Sequence, residues 1–202
     1  FLRRFMSGLS TGTCLRRLTA VNCGGRQGCK LAISQLDEDA VREESAMKWA
    51  LLSDIHANIQ ALNACEAHAQ RQGAERWAVL GDLVGYGGDP LPVLERVMHW
   101  HAQGACVLQG NHDAMAITPP QVEGSLGAMT AAWTYQQLPP HCRRFLAQLP
   151  MSQRFGQMLL VHASAHQPKE WRYVDNERSA QQCLDAAIAE GDSATHVFVG
   201  HV

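Results

Sequence analysis

The sequence lacks the long hydrophobic run that a membrane span requires. None of its apolar runs approaches the ~20 residues that a helix needs to cross a bilayer. It also lacks a strong charge of either sign, because 17 basic and 19 acidic residues leave a formal net charge of −2. We therefore expect no bulk binding of nucleic acid or of anionic lipid, and any anionic ligand would have to be attracted by something local.

Paired cysteines are also missing. The chain has seven cysteines, an odd number, and no C-x-x-C pair. Cys65, Cys106, Cys142 and Cys183 fall in apolar segments, where a cysteine packs as a small hydrophobe. This pattern indicates a reducing compartment, and we predict a cytoplasmic location.

Two common phosphate-binding motifs are incomplete. A cysteine-dependent phosphatase needs an Arg six positions after its nucleophile, but the residue six positions after Cys23 is Cys29. The same segment has Cys29 before Lys30 where a Walker loop has Gly, and no predicted strand leads into it. Neither class of protein fits the sequence.

The chain is long enough for one domain with a hydrophobic core, since it has 202 residues of which 46% are hydrophobic. Residues 1–46 differ from the rest, because early arginines precede an acidic cluster without a sustained apolar period. We expect this segment to be a disordered or non-native extension ahead of a natural start at Met47, with a transit peptide as the alternative. We expect residues 47–202 to form the domain, truncated at its C-terminus.

Short apolar runs alternate with helical patterns after Met47. Residues 49–52, 77–80 and 105–108 are predicted strands with a helix between each pair, and Asn58 is a good N-cap for the first helix. This order predicts parallel strands with right-handed crossovers, and hence an α/β sandwich of mainly parallel and mixed β-sheets flanked by helices, in three or four layers. Further helices are predicted over 128–138, 141–149 and 179–191, and further strands over 158–161 and 197–199.

Potential metal ligands follow the predicted strands. In chain order they are Asp54, His56, Asp82, Asn111, His162 and His201. Because ligands collect beyond the carboxyl ends of parallel strands, we expect these side chains to meet at one edge of a single sheet. Each signal is weak alone, since a strand-end His is more often structural and Gly-Asn-His-Asp also suits a turn. Together they predict a site for two metal ions with Asp82 as the natural bridge.

The motifs resemble those of the calcineurin-like metallophosphoesterase superfamily. Its D-x-H, G-D, G-N-H-[DE], H and G-H-x-H motifs correspond to residues 54–56, 81–82, 110–113, 162 and 200–201. The segments GDLVGYG and VHAS are similar to the small bacterial phosphodiesterase branch. The second His of the closing motif would fall beyond Val202, so we expect this fragment to bind the first metal weakly or to be inactive as it stands.

The resemblance implies a role for each residue. The first metal would be held by Asp54 and His56, the bridge would be Asp82, and the second metal would be held by Asn111, His162 and His201. His112 would be catalytic, lying outside the coordination sphere, where it could protonate the leaving oxygen or stabilise the transition state.

The implied activity is hydrolysis of a phosphoric ester, with diesters slightly preferred over monoesters on branch resemblance alone. Two divalent cations (Mn, Fe, Zn, Co or Ni) about 3.5–4 Å apart would clamp the phosphoryl group and activate a shared water as hydroxide. The expected partner is a small phosphate-ester substrate. No membrane partner is expected, and a homo-oligomer is compatible with the sequence.

Three alternatives stay open: a protein Ser/Thr phosphatase, a diadenosine polyphosphate hydrolase and a non-catalytic scaffold. The first resembles G-D-x-x-D-R-G, but Gly85 and Tyr86 stand where its Asp and Arg would be, and the second shares this weakness. A scaffold would have lost ligands, whereas six of the seven that the family implies are present together with His112. A His at position 203 would support catalysis.

Four further residues have no assigned role. Tyr86 lies in a Gly-rich loop near Asp82, and its ring either faces the substrate or packs against the protein. Trp171 and Tyr173 either line the mouth of the site or serve core packing or a subunit contact. His166 sits in a loop close behind His162 and could touch substrate. The other histidines outside the motifs are assigned structural roles.

Overall fold

The computed structural model describes residues 3–6, 18–22, 30–35, 47–121, 125–189 and 194–201. Nine strands occur in these residues: β1 (Arg3–Met6), β2 (Leu18–Asn22), β3 (Lys30–Gln35), β4 (Lys48–Ser53), β5 (Arg76–Val79), β6 (Cys106–Val107), β7 (Ser152–Phe155), β8 (Met158–Val161) and β9 (His196–Val199). The helices there are α1 (Ile59–Arg71), α2 (Pro90–Ala102), α3 (Asn111–Ile117), α4 (Leu126–Gln137), α5 (Pro140–Gln148) and α6 (Glu177–Ala189), with a 3-10 turn over Pro168–Glu170.

The first sheet contains the strands predicted from the alternating pattern. Its order is β2-β3-β4-β5-β6, in which β4 pairs in parallel with β5 and β5 in parallel with β6. Helices α1 and α2 form the two crossovers, so the predicted parallel pairing is confirmed. The strands β2 and β3 extend this sheet with antiparallel pairing.

The second sheet has the order β1-β9-β8-β7. Its strands β8 and β9 are parallel, whereas β7 and β1 pair antiparallel at its edges. The expectation of a single sheet was therefore wrong. The reason lies in β4, which is buried on both faces: Ala50 and Leu52 face helices, while Trp49 and Leu51 need a second apolar layer to cover them.

Packing of the two sheets gives four layers, which confirms the predicted α/β sandwich. Between the sheets lies a core in which Leu51 and Leu80 meet Leu160 and Phe198. A larger core joins the outer face of the first sheet to α1, α2 and α5. A third core joins β8 and β9 to α6, where Cys183 is fully buried.

The helix ends agree with the sequence signals at one site and differ at another. Asn58 caps α1, because its side-chain oxygen accepts the backbone N–H of Ala61 at 2.9 Å. Ser179 was predicted to cap the last helix, but it lies inside α6 and its own N–H is accepted by the Asn176 side chain. The predicted helix end at Gly191 lies outside the described residues.

Three short strands occur within residues 1–46, and the rest of that segment lies outside the described residues. The assignment of this segment as a non-native extension, and of residues 47–202 as the domain, stays a prediction. Within the part of the chain that the structure describes, no helix is long and apolar enough to cross a membrane.

Candidate metal centre

The predicted metal ligands meet where the carboxyl ends of both sheets come together. Atoms of His56, Asp82 and His112 that could bind a metal all lie within 4.8 Å of one another. The same is true of Asp82, His162 and His201. Two ligand clusters therefore share one carboxylate, and they draw on both sheets rather than on one.

Asp82 occupies the position between the two clusters. Its Oδ2 lies 3.7 Å from Nε2 of His56 and 3.5 Å from Nε2 of His162. Its other oxygen accepts the backbone N–H of His112 at 2.8 Å, which fixes the orientation of the carboxylate. The side chain is 2% exposed. This geometry is what a bridging ligand requires, and the bridging role itself stays a prediction.

The two remaining predicted ligands lie beside these clusters. Asn111 begins α3 and places its Oδ1 3.1 Å from Nε2 of His162. Asp54 is buried, and its Oδ2 has no hydrogen-bond partner among the described residues. A buried carboxylate oxygen without a donor is costly, so a cation is the natural partner for Asp54.

Backbone carbonyl groups orient the imidazole rings. Nδ1 of His162 lies 2.7 Å from the carbonyl oxygen of Leu80, and Nδ1 of His56 lies 3.3 Å from that of Val84. Since a carbonyl only accepts, each Nδ1 is the protonated nitrogen that donates. Each Nε2 therefore keeps a lone pair that can bind a metal ion. Such outer hydrogen bonds are the usual supports of metal-binding histidines. No sequence pattern identifies them, because the acceptors are main-chain atoms.

The carboxylate of Asp82 and the ring of His162 stabilise opposite charges on each other. Burial raises the pKa of Asp82, but the charge and hydrogen bond of His162 and the charges of His56 and His112 outweigh burial and bring it to about 2. Burial lowers the pKa of His162, yet Asp82, Asp54 and the Leu80 carbonyl raise it to about 9. Nε2 of His162 thus faces two oxygen atoms, Oδ2 of Asp82 and Oδ1 of Asn111. Either a proton on Nε2 or a metal ion between the three atoms would give these oxygens a partner. The residues present therefore fit a metal.

Asp54 and Asp82 are among the residues of this site whose backbone conformation is rare outside glycine. Asp54 has φ 56° and Asp82 has φ 54°, both in the left-handed region. The backbone N–H of Asp54 donates to the carbonyl of Gly81 at 3.2 Å, which ties the two loops together. Non-glycine residues held this way cluster at functional sites, because the surrounding structure must maintain them.

Asp113 is a supporting residue to which the sequence analysis assigned no role. It is fully buried, and its carboxylate accepts the backbone N–H groups of Leu83 and Gly110 at 2.9 Å and of Val84 at 3.2 Å. Burial raises the pKa of Asp113 to about 7, and the charge of Asp82 adds to this shift. The side chain therefore joins the loop after β5 to the start of α3. Its position three residues after Gly110 is the signal that could have indicated this helix-capping role.

His112 lies against His56 and Tyr86. The ring centroids are 5.0 Å and 4.4 Å away respectively, and Nδ1 of His112 is buried without a partner among the described residues. Burial lowers the pKa of His112, and the Asp82 carboxylate opposes that shift. The ring is also one of the groups able to reach a metal, so its assignment as a catalytic residue outside the coordination sphere stays a prediction.

The aromatic residues whose roles the sequence did not decide lie at this site. Tyr86 packs at 5.0 Å from His56, Trp171 at 5.9 Å from His162, and Tyr173 stacks at 4.1 Å on His201. His166 is half-buried, and its backbone N–H donates to Ser164.

A layered α/β sandwich with carboxylates, an amide and imidazoles at its joined strand ends has the architecture of a metalloprotein. Residues 47–202 match the family described as calcineurin-like phosphoesterase. This chain therefore belongs to the calcineurin-like phosphoesterase family, which confirms the superfamily predicted from the motifs. The bacterial phosphodiesterase branch stays a prediction.

Two relatives illustrate the similarity. The chain is 28% identical over 158 residues to the uncharacterized protein MJ0912 of Methanocaldococcus jannaschii, covering 75% of this chain and 60% of the relative. A crystal structure of a metallophosphoesterase from Sphaerobacter thermophilus is 31% identical with a TM-score of 0.59, covering 69% of this chain and 56% of that one. The chain thus spans less than two thirds of either relative.

Proposed function

We propose that this protein is a metal-dependent phosphoric ester hydrolase that prefers diesters to monoesters. The observation that supports it is the convergence of four candidate ligands and His112 in two groups that share Asp82. Asn111 lies beside His162, and the buried Asp54 carboxylate is near enough to raise the pKa of His162. Family membership supports phosphoester hydrolysis. The preference for diesters rests only on the similarity of residues 81–87 and 161–164 to one branch of the family.

The residues would hold two divalent cations in the arrangement predicted from the motifs. Asp54 and His56 would bind the first cation, with Asp82 bridging to the second. Asn111, His162 and His201 complete the second site. When bound, such cations polarise a phosphoryl oxygen and lower the pKa of water.

The chain's own groups contribute orientation and proton transfer. The carbonyl groups of Leu80 and Val84 hold His162 and His56 in the tautomer that leaves Nε2 as a ligand. Asp113 fixes the loop that carries Asp82 against the helix that carries Asn111 and His112. Because burial lowers its pKa, neutral His112 would carry one exchangeable proton at a ring nitrogen, next to the position of the substrate phosphate.

The identity of the metal, the size of the substrate and the location of the protein belong to the same proposal. Oxygen and nitrogen ligands suit Mn, Fe, Zn, Co or Ni, and we propose Mn as the first to test. We propose a small phosphate ester as substrate and the cytoplasm as the location, on the sequence arguments given above.

Hydrolysis of bis-p-nitrophenyl phosphate and p-nitrophenyl phosphate with added Mn tests the proposal. We expect turnover of the diester, loss of turnover after chelation and recovery when Mn is returned. Calorimetric titration with Mn runs in parallel. Bound Mn without turnover of either ester would favour the non-catalytic scaffold, whereas absence of Mn binding would contradict the proposed site itself.

A further inference from the structure

Three aromatic side chains border the candidate metal centre from two separate loops. Tyr86 comes from the loop after β5, and Trp171 and Tyr173 come from the loop that leads to α6. Each contacts a different imidazole of the cluster: Tyr86 lies against His112, Trp171 against His162, and Tyr173 against His201. We refer to Tyr86, Trp171 and Tyr173 as the aromatic rim.

Tyr173 is the most exposed member of the aromatic rim. Its ring lies nearly parallel to His201, at 4.1 Å between centroids and 20° between planes, yet the residue is 58% exposed. One face is thus covered by a candidate ligand and much of the rest is open to solvent. A side chain in this position contributes little to the core, and its free surface is adjacent to the candidate metal centre.

Tyr86 is held in position by an unusual backbone. Its φ is 61°, in the left-handed region, and it lies between Gly85 and Gly87. A Cβ on Gly87 would be 2.2 Å from the carbonyl oxygen of His56, so the loop is pressed directly against the site. The tyrosine is 37% exposed. The loop therefore presents a partly exposed ring beside His56 and His112, at the cost of a strained conformation.

Trp171 links the aromatic rim to the ligands through its backbone. Its φ is also left-handed, at 53°, and its backbone forms a hydrogen bond with the ring of His201. The loop that places Tyr173 thus also orients a candidate ligand.

We propose that the aromatic rim binds a planar aromatic group of the phosphate ester, so that the site selects aryl or heteroaryl esters over alkyl esters. This inference rests on the proposed function. An aryl substituent can stack on aromatic side chains, whereas the alkyl substituent of an ester with the same charge cannot. A cationic group, the other common partner of aromatic faces, is disfavoured by the cations that the same centre would hold.

A direct binding measurement tests this selectivity without requiring turnover. Phenyl phosphate and methyl phosphate carry the same charge above neutral pH and differ in the ring. We expect Mn-loaded protein to bind phenyl phosphate about 3- to 10-fold more tightly in calorimetric titrations, the range that one stacked aromatic pair supplies. Competitive inhibition of diester hydrolysis should give the same ratio.

Substitutions assign the effect to the aromatic rim. Tyr173→Leu and Tyr86→Leu should each lower the phenyl-to-methyl affinity ratio toward one, and Tyr173→Phe should retain it because the ring remains. Tyr135→Leu is the matched control, since the Tyr135 ring on α4 packs under Arg143 of α5 and is not part of the aromatic rim. The ratio of the two affinities is taken within one variant, so a change in metal content affects both affinities and cancels. The metal content of each variant is also measured.

The outcomes separate this inference from the proposed function. Turnover of the diester with equal affinities for the two monoesters would overturn the aromatic selectivity alone. So would a ratio above one that both leucine variants leave unchanged. Selective binding without turnover would retain the inference and contradict the hydrolase. Failure of the Mn-loaded protein to bind either monoester would overturn the aromatic selectivity, and absence of diester turnover as well would overturn both.

Discussion

Gly110 lies directly against Asp82. A Cβ on Gly110 would be 2.2 Å from both the backbone nitrogen and Oδ1 of Asp82, closer than any real contact. The loops after β5 and β6 therefore touch where the shared carboxylate is held. A glycine is required there because a side chain would occupy the position of the ligand.

Substitution of Gly110 should damage the site more than substitution of Gly200. A Cβ on Gly200 would meet the hydroxyl of Ser53 at 1.9 Å. A substitution of Ser53 can remove that hydroxyl, whereas no substitution removes the backbone nitrogen that Gly110 faces. We expect Gly110→Ala to lower the affinity for Mn by more than about 100-fold, beyond the effect of losing an outer-shell partner. Gly200→Ala should be partly rescued by Ser53→Gly, since Ser53 Cβ would also lie close, at 2.9 Å.

Calorimetric Mn titrations and thermal unfolding of the single and double variants check this order. Equal losses in Gly110→Ala and Gly200→Ala, or failure of Ser53→Gly to restore any binding, would show that steric contact with the ligand loops is not the cause.

Asp82→Asn should abolish activity while the fold remains intact. The amide keeps one acceptor oxygen for the backbone N–H of His112, but it removes the negative charge shared by the two ligand clusters. We expect Mn affinity to fall by more than roughly 100-fold, because a direct ligand matters more than its supports. Circular dichroism should be unchanged. Turnover near the wild-type rate would refute the bridging role.

Asp113→Asn should destabilise the protein. The carboxylate accepts three backbone N–H groups, and an amide would turn an NH₂ group toward at least one of these donors. We expect the free energy of unfolding to fall by about 1–3 kcal/mol, the cost of a buried unsatisfied donor. Urea denaturation measures the change. Asp185→Asn, on the exposed face of α6, is the control and should have little effect; a similar loss there would argue against the loop-joining role.

The thiols of the partly buried Cys106 and the buried Cys183 should resist alkylation until the protein unfolds. Burial raises the pKa of Cys106 to about 11, and burial also raises the pKa of Cys183. Only the thiolate reacts, and at pH 8 a thiol with a pKa of 11 is about 100-fold less ionised than an ordinary one. Peptide mapping after iodoacetamide treatment should show both labelled far faster in urea. Rapid native labelling of Cys183 would mean that the core beneath α6 opens readily.

Strands β4, β5 and β6 of the first sheet were predictable because their signals are local. Apolar runs, a capping Asn58 and short loops identify strands and helices that are consecutive in sequence and adjacent in space. The short helix α3, the edge strand β7 and the strands β1, β2 and β3 were not predicted. Asn111 had been interpreted only as a ligand, and Ser152–Phe155 lacks a strong apolar alternation, since its strand conformation comes from pairing with β8.

By itself, the sequence determined which residue types could bind metal, their order along the chain and the family to which the chain belongs. Only the tertiary structure decided that the ligands come from two sheets, that Leu80 and Val84 carbonyls orient the imidazoles, and that aromatic rings surround the cluster. The physical reason is distance along the chain. A motif depends on neighbouring residues, whereas the contact between Asp82 and His162 depends on the packing of sheets that are built from separate parts of the chain.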